Sequence, residues 1–152
     1  MAELNGEPLV ILLVEDNEAH AELVMRSFSD QRVANKIYHV NDGQKALDFL
    51  FQKGQGGNKE GTPSPNLILL DLRLPKVDGL EVLKEIKESS TLRRIPVVVL
   101  TSSDAETDIA RSYDYHANSY IVKPLEFKKF TKLMEDLGYY WLGWNASPHI
   151  NE

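Results

Sequence analysis

An α/β fold is predicted here: a five-stranded parallel sheet, doubly wound in the order 2-1-3-4-5. Three observations carry it. The aliphatic runs Leu9–Val14, Leu67–Leu70 and Val97–Leu100 show no polar/apolar alternation, so they read as strands covered on both faces. Two more mixed segments, Lys36–Val40 and Ser119–Lys123, suit strands nearer a sheet edge. Helical periodicity separates all five, and strict alternation of strand and helix implies right-handed crossovers onto a parallel sheet. With the three dry strands in the middle, the topological switch point falls between the first and third, and ligands bind at the carboxyl ends of those strands.

The elements follow in order. The first strand ends on Glu15-Asp16, and Leu23, Val24 and Phe28 give the next segment one buried helical stripe. Ala46, Leu47, Leu50 and Phe51 do the same for the second helix. The stretch from Gly54 to Pro65 is rich in Gly and Pro and reads as a long surface loop; it lacks the Gly-Lys-Ser/Thr ending of a phosphate loop and leads into no helix. Asp71 follows the third strand, and Leu83 with Ile86 marks the third helix. Thr101 stands directly after the fourth strand. The fourth helix is expected from Asp104 to about Tyr115, with Ser102-Ser103 as caps and with Ile109 and Tyr113 on one side. Lys123 ends the fifth strand and Pro124 stops it. The last segment carries Phe127, Phe130, Met134, Leu137, Trp141 and Trp144 at alternating spacings of three and four, a heptad-like seam. Such a seam serves either core contact with a frayed tail or a dimer and partner-docking surface.

Length and composition narrow the function classes. At about 150 residues per domain, 152 residues make one compact domain. The chain is 42% hydrophobic and 26% charged, enough for a packed core. Seventeen Lys and Arg against 23 Asp and Glu leave a net charge of −6, which disfavours nucleic acid and favours protein or metal-cation partners. Without cysteine there are no disulfides and no thiolate sites, and residues 1–8 show no signal-peptide pattern, which together suit a cytoplasmic protein. Leu9–Val14 falls far short of the roughly 18 residues a membrane span requires, so no membrane association is expected.

The chemistry gathers at the strand ends. Glu15, Asp16 and Asp71 converge if the switch point is correct, and three like charges so close need a counter-ion. Hard oxygen ligands of this kind suit Mg²⁺ or Mn²⁺. Taken alone, Lys123 is a surface lysine before a helix-starting proline. On the same rim its ammonium can pair with Asp71 and with an oxyanion attached to it, and Thr101 can offer a hydroxyl there. A carboxylate, a cation and a lysine so arranged can form an aspartyl phosphate. The histidines His20, His39, His116 and His149 lie in different segments and are read as surface or packing residues. Asn145-Ala146-Ser147 matches a glycosylation sequon without a secretion signal to give it meaning.

Glu15-Asp16-Asn17, Asp71-Leu72-Arg73-Leu74-Pro75-Lys76-Val77-Asp78-Gly79, Thr101-Ser102-Ser103 and Tyr120-Ile121-Val122-Lys123-Pro124 together resemble the receiver domain of two-component response regulators. That resemblance implies a flavodoxin-like receiver fold over residues 9–137, with residues 1–8 as a tail and 138–152 as an aromatic C-terminal extension. It implies that Asp71 accepts a phosphoryl group from a sensor histidine kinase. Asp16, Asp71 and the backbone carbonyl of Arg73 would bind Mg²⁺, with Glu15 acting through water. Lys123 would pair with the phosphoryl group and its peptide bond to Pro124 would be cis. Thr101 and Tyr120 match the family's switch pair, read out at the fourth helix, fifth strand and fifth helix. The long second loop, the Ser112-Tyr113 and His116–Tyr120 stretches and the Trp-bearing tail resemble the small single-domain regulators paired with phytochrome-type kinases, which dimerise through that face. Arg73 and Ser103 stand where side chains set phosphoryl lifetime. Two further readings remain at this point. One is a metal-dependent phosphohydrolase with Asp71 as nucleophile, disfavoured because Arg73 stands where a proton-donating acid is needed. The other is a binding module indifferent to phosphorylation, disfavoured by the intact acid, threonine and lysine set.

Overall fold

The computed structural model describes residues 8–31, 35–51 and 64–146. The strands are β1 (Leu9–Val14), β2 (Asn35–Val40), β3 (Leu67–Leu70), β4 (Val97–Thr101) and β5 (Ser119–Val122). They alternate with α1 (Glu18–Ser29), α2 (Gly43–Phe51), α3 (Gly79–Glu88), α4 (Glu106–Asp114) and α5 (Phe127–Gly138), after which a π-helical turn spans Tyr139–Trp144. All strand pairs are parallel and the order is β2-β1-β3-β4-β5, as expected. The stretch from Gly54 to Pro63 lies outside the described residues.

The unalternating runs do sit in the centre. Successive β1 residues feed opposite faces: Leu12 and Val14 pack with α2 and α3 residues such as Leu47, Leu83 and Ile86, while Ile11 and Leu13 pack with Val24 and Phe28 of α1 and with Phe130 and Met134 of α5. Each such side chain contributes roughly 1.5–3 kcal/mol of burial. β2 and β5, the mixed strands, are the edges and are only partly buried.

Side-chain caps start the first three helices. Asn17 accepts from the His20 N–H for α1, Asp42 from the Lys45 N–H for α2, and Asp78 from the Leu80 N–H for α3. Gly79 opens α3 because nothing larger fits: a Cβ there would overlap the carbonyl oxygen of Asp71. Helix α3 is thereby seated directly under the turn that carries this carboxylate.

Four expectations need correction. Helix α4 begins at Glu106 after Ala105, without a side-chain cap, and its buried residues are Asp108 and Ser112; Tyr113 is 50% exposed and Ile109 only half-buried. The inner face is polar because Asp108 meets Arg73 and Ser103, described below. No cis peptide bond occurs among the described residues, so the Lys123–Pro124 bond is trans. The seam from Phe127 to Trp144 holds at Phe130, Met134, Leu137 and the partly buried Trp141, which packs against the same core; Phe127 and Trp144 are 69% and 82% exposed, and Leu142 is buried as well. The π-helical turn explains the addition, since its wider repeat brings position 142, five after Leu137, to the core. Finally, His20 and His39 are not incidental surface residues, as the site shows.

Candidate functional site

Register brings the acids together. Val14 pairs with Leu70, so the residues that follow them, Glu15 and Asp71, emerge side by side at the carboxyl edge, and the Asp71 N–H donates to the Val14 carbonyl at 3.0 Å. Thr101 pairs with Val122, and the Lys123 N–H donates to the Thr101 carbonyl at 2.8 Å, which places the lysine on the same rim.

The Lys123 ammonium reaches Glu15 Oε1 at 2.6 Å and Asp71 Oδ2 at 3.2 Å, and all three side chains are almost fully buried. The sequence pointed to the Asp71 contact but not to the shorter one with Glu15. One oxygen each from Glu15, Asp16 and Asp71 lies within 4.8 Å of the others. Asp16 is the exposed member and gives the cluster its open side. An all-oxygen acidic donor set with one solvent-facing member fits a hard divalent cation.

Burial pushes the Glu15 carboxyl up to about 7, assisted by the Asp71 charge and opposed by the Lys123 hydrogen bond and charge. Burial acts on Asp71 in the same sense, but there the Lys123 charge and the hydrogen bonds from the Thr101 hydroxyl, the Arg73 N–H and Lys123 outweigh it, and its carboxyl is held below its ordinary value. Of the pair, Asp71 is therefore the carboxylate that favours the ionised form.

The surrounding residues fix this geometry. The Asn17 N–H donates to Glu15 Oε2 at 3.1 Å, and His39 Nε2 on β2 donates to the Glu15 carbonyl at 2.8 Å. The Arg73 N–H donates to Asp71 Oδ1 at 3.2 Å. The Arg73 guanidinium turns to Asp108 Oδ2 at 2.6 Å, an oxygen that also accepts from Ser103 Oγ at 2.6 Å. Hence the Asp71 turn, the segment after β4 and α4 are tied by one carboxylate. Thr101 is fully buried beside Asp71, and the Tyr120 hydroxyl donates to the Ser103 carbonyl at 2.8 Å.

Three residues were missed by sequence reasoning. His20 places Nδ1 3.0 Å from the Lys123 ammonium, His39 holds the acidic turn, and Asp108 anchors α4. A signal existed only for His20, which lies in the first turn of the helix that follows Glu15-Asp16. His116 lies elsewhere, with its backbone at φ 70°, and His149 is outside the described residues.

This fold, with an acidic cluster that fits a divalent cation and a buried lysine at its switch point, defines a receiver-type α/β domain. Residues 11–135 match the response regulator receiver domain family, and the chain belongs to that family of signalling proteins. It is 51% identical to FilR2 of Methanothrix harundinacea over 142 residues, 93% of this chain and 89% of FilR2. It is 44% identical to the response regulator Rcp1 of Synechocystis sp., covering 93% of this chain and 95% of Rcp1. The Mn²⁺-bound crystal structure of Rcp1 superposes with a TM-score of 0.89, covering 93% of this chain and 100% of that one. The phosphorylated cyanobacterial phytochrome response regulator RcpA, 40% identical, superposes with a TM-score of 0.88 over 94% of this chain and 100% of RcpA. Among the described residues no helix is long and apolar enough to cross a membrane.

Proposed function

We propose that the chain is a single-domain response regulator of the cytoplasm that takes a phosphoryl group onto Asp71 from a phosphohistidine of a sensor kinase of the phytochrome type. The observation that carries this reading is the buried Lys123 ammonium bridging Glu15 and Asp71, with Asp16 completing an acidic cluster beside them. The phosphorylated RcpA and Mn²⁺-bound Rcp1 structures support it.

An Asp71 carboxylate oxygen forms the new O–P bond as the N–P bond of the donor breaks, and the departing imidazole takes up a proton from solvent. Lys123 pairs with a phosphoryl oxygen, while the Thr101 hydroxyl donates to another. Asp16, Asp71 and the Arg73 carbonyl would hold Mg²⁺, or Mn²⁺, with Glu15 acting through water, and the cation held there would supply positive charge against the phosphoryl oxygens. The chain assists only its own phosphorylation and dephosphorylation. In the test, intact-protein mass is measured after incubation with acetyl phosphate and Mg²⁺. A gain of one acid-labile phosphoryl group, absent with a chelator, is expected; no gain in Mg²⁺ overturns the reading.

Thr101 and Tyr120 form the switch. Tyr120 is half-buried and already tied to the segment after β4, so movement of Thr101 toward the phosphoryl group reaches the α4-β5-α5 face through Ser103. That face and the C-terminal turn expose Tyr113, Val122, Leu125, Phe127, Tyr139 and Trp144, an apolar surface suited to a homodimer. Phosphorylation is expected to shift the NMR resonances of Thr101 and Tyr120, and light scattering is expected to show a dimer. Unmoved resonances sink the switch, and a monomer at high concentration in both states sinks the dimer.

A further inference from the structure

An ammonium group has three N–H donors, and Lys123 spends all of them inside the protein. Glu15 Oε1 and Asp71 Oδ2 take two; His20 Nδ1, at 3.0 Å, takes the third. The phosphoryl-transfer chemistry uses the first two contacts and leaves the third unexplained.

His20 is held from two sides. Its backbone N–H is fixed by the Asn17 cap in the first turn of α1, and its ring lies against Phe130 of α5 with centroids 5.2 Å apart at 58°. Phe130 is itself buried, so the imidazole has a firm backing. To accept from an ammonium, Nδ1 must lack a proton, and the neutral ring then carries its proton on Nε2. Burial and the Lys123 charge both favour that neutral form.

Resting on the proposed transfer to Asp71, we infer that His20 is a positioning residue: Nδ1 aims the Lys123 ammonium before transfer and holds it while the ammonium exchanges Asp71 for a phosphoryl oxygen. The choice of partner follows from charge. The Asp71 oxygen loses its anionic charge when it forms the O–P bond, whereas Glu15 stays anionic and the imidazole, 3.0 Å from the ammonium and lying against Phe130, keeps its acceptor in place.

Two variants separate the acceptor from the packing. His20→Phe keeps a ring against Phe130 without an acceptor, and His20→Asn keeps an acceptor near the Nδ1 position without the ring. With phosphoramidate and Mg²⁺, followed by intact mass, His20→Phe is expected to slow phosphorylation about tenfold and His20→Asn by less than about threefold. Calorimetric Mg²⁺ affinity should stay unchanged in both. His20→Phe reacting at the wild-type rate, or His20→Asn as slow as His20→Phe, overturns the inference alone; a wild-type chain that gains no phosphoryl group overturns the transfer reading and this inference with it. Imidazole ¹⁵N spectra of the wild type add a measurement that needs no variant to fold. Nδ1 is expected to be unprotonated in the free protein and to stay so when beryllofluoride and Mg²⁺ are added, whereas a proton on Nδ1 in either state overturns the assignment.

Discussion

Asp71→Asn is expected to abolish phosphoryl uptake entirely while leaving the fold intact. An amide has no anionic oxygen to form the O–P bond, so no kinase or small phosphodonor can compensate. The fold survives because Lys123 keeps Glu15 and His20, and the Arg73 N–H can still donate to the amide oxygen. The stability effect has a definite sign. The Asp71 carboxyl is held low in the folded protein, so its ionised form stabilises above the ordinary carboxylate value, and that contribution disappears as pH falls through the lowered one. Loss of its charge also removes a repulsion that raises Glu15, which offsets part of the change. The melting temperature should therefore fall slightly at pH 7 and by less at pH 3, while intact mass shows no phosphoryl gain. A variant that is phosphorylated as fully as the wild type removes Asp71 from its role.

Lys123→Met is expected to act on both chemistry and stability. Methionine preserves much of the buried stem and deletes the cation, and loss of a preorganised charge facing an oxyanion slows such reactions by about 100-fold or more. The stability change should depend on pH. Without Lys123, the two largest contributions that pull Glu15 down are gone and only the Asn17 N–H remains, so its carboxyl rises further above its unfolded value. A carboxyl raised on folding stabilises below its unfolded value, and that stability is lost as pH rises through the folded one. In chelator, the variant should already be less stable than the wild type near pH 5, where Asp71 has lost its cation, and lose more at pH 8, about 3 kcal/mol or about 10 °C, where ionising Glu15 beside Asp71 leaves two buried charges unpaired. Mg²⁺ should restore part of it. Urea and thermal unfolding at the two pH values check this, and a variant with wild-type pH dependence would show that Lys123 does not neutralise the pair.

Much of the site is legible in the sequence because its information is local. The dry strands announce themselves by unbroken aliphatic runs, and the residue that follows each run must stand at the sheet's carboxyl edge, which puts Glu15, Asp71 and Thr101 in place before any coordinates are known. Lys123 follows by the same logic at β5. Local pattern misleads where the partner is distant. Periodicity set Ile109 and Tyr113 on one side of α4, yet Asp108 and Ser112 are the buried residues, because a guanidinium 35 positions earlier waits there. Heptad spacing carried Trp141 into the seam, where it is partly buried, and one wide helical turn added the fully packed Leu142 that no heptad position marks.

The sequence by itself determined the strand and helix order, the sheet topology and the set of groups at the rim, since hydrophobic period and residue order along the chain suffice for those. Only the tertiary structure decided which acid takes the shorter contact with Lys123, that His20 takes its third proton, and that α4 turns a carboxylate inward. Those are choices among groups 35 to 108 positions apart in the chain, and they depend on ångström distances and on burial, which no local pattern encodes.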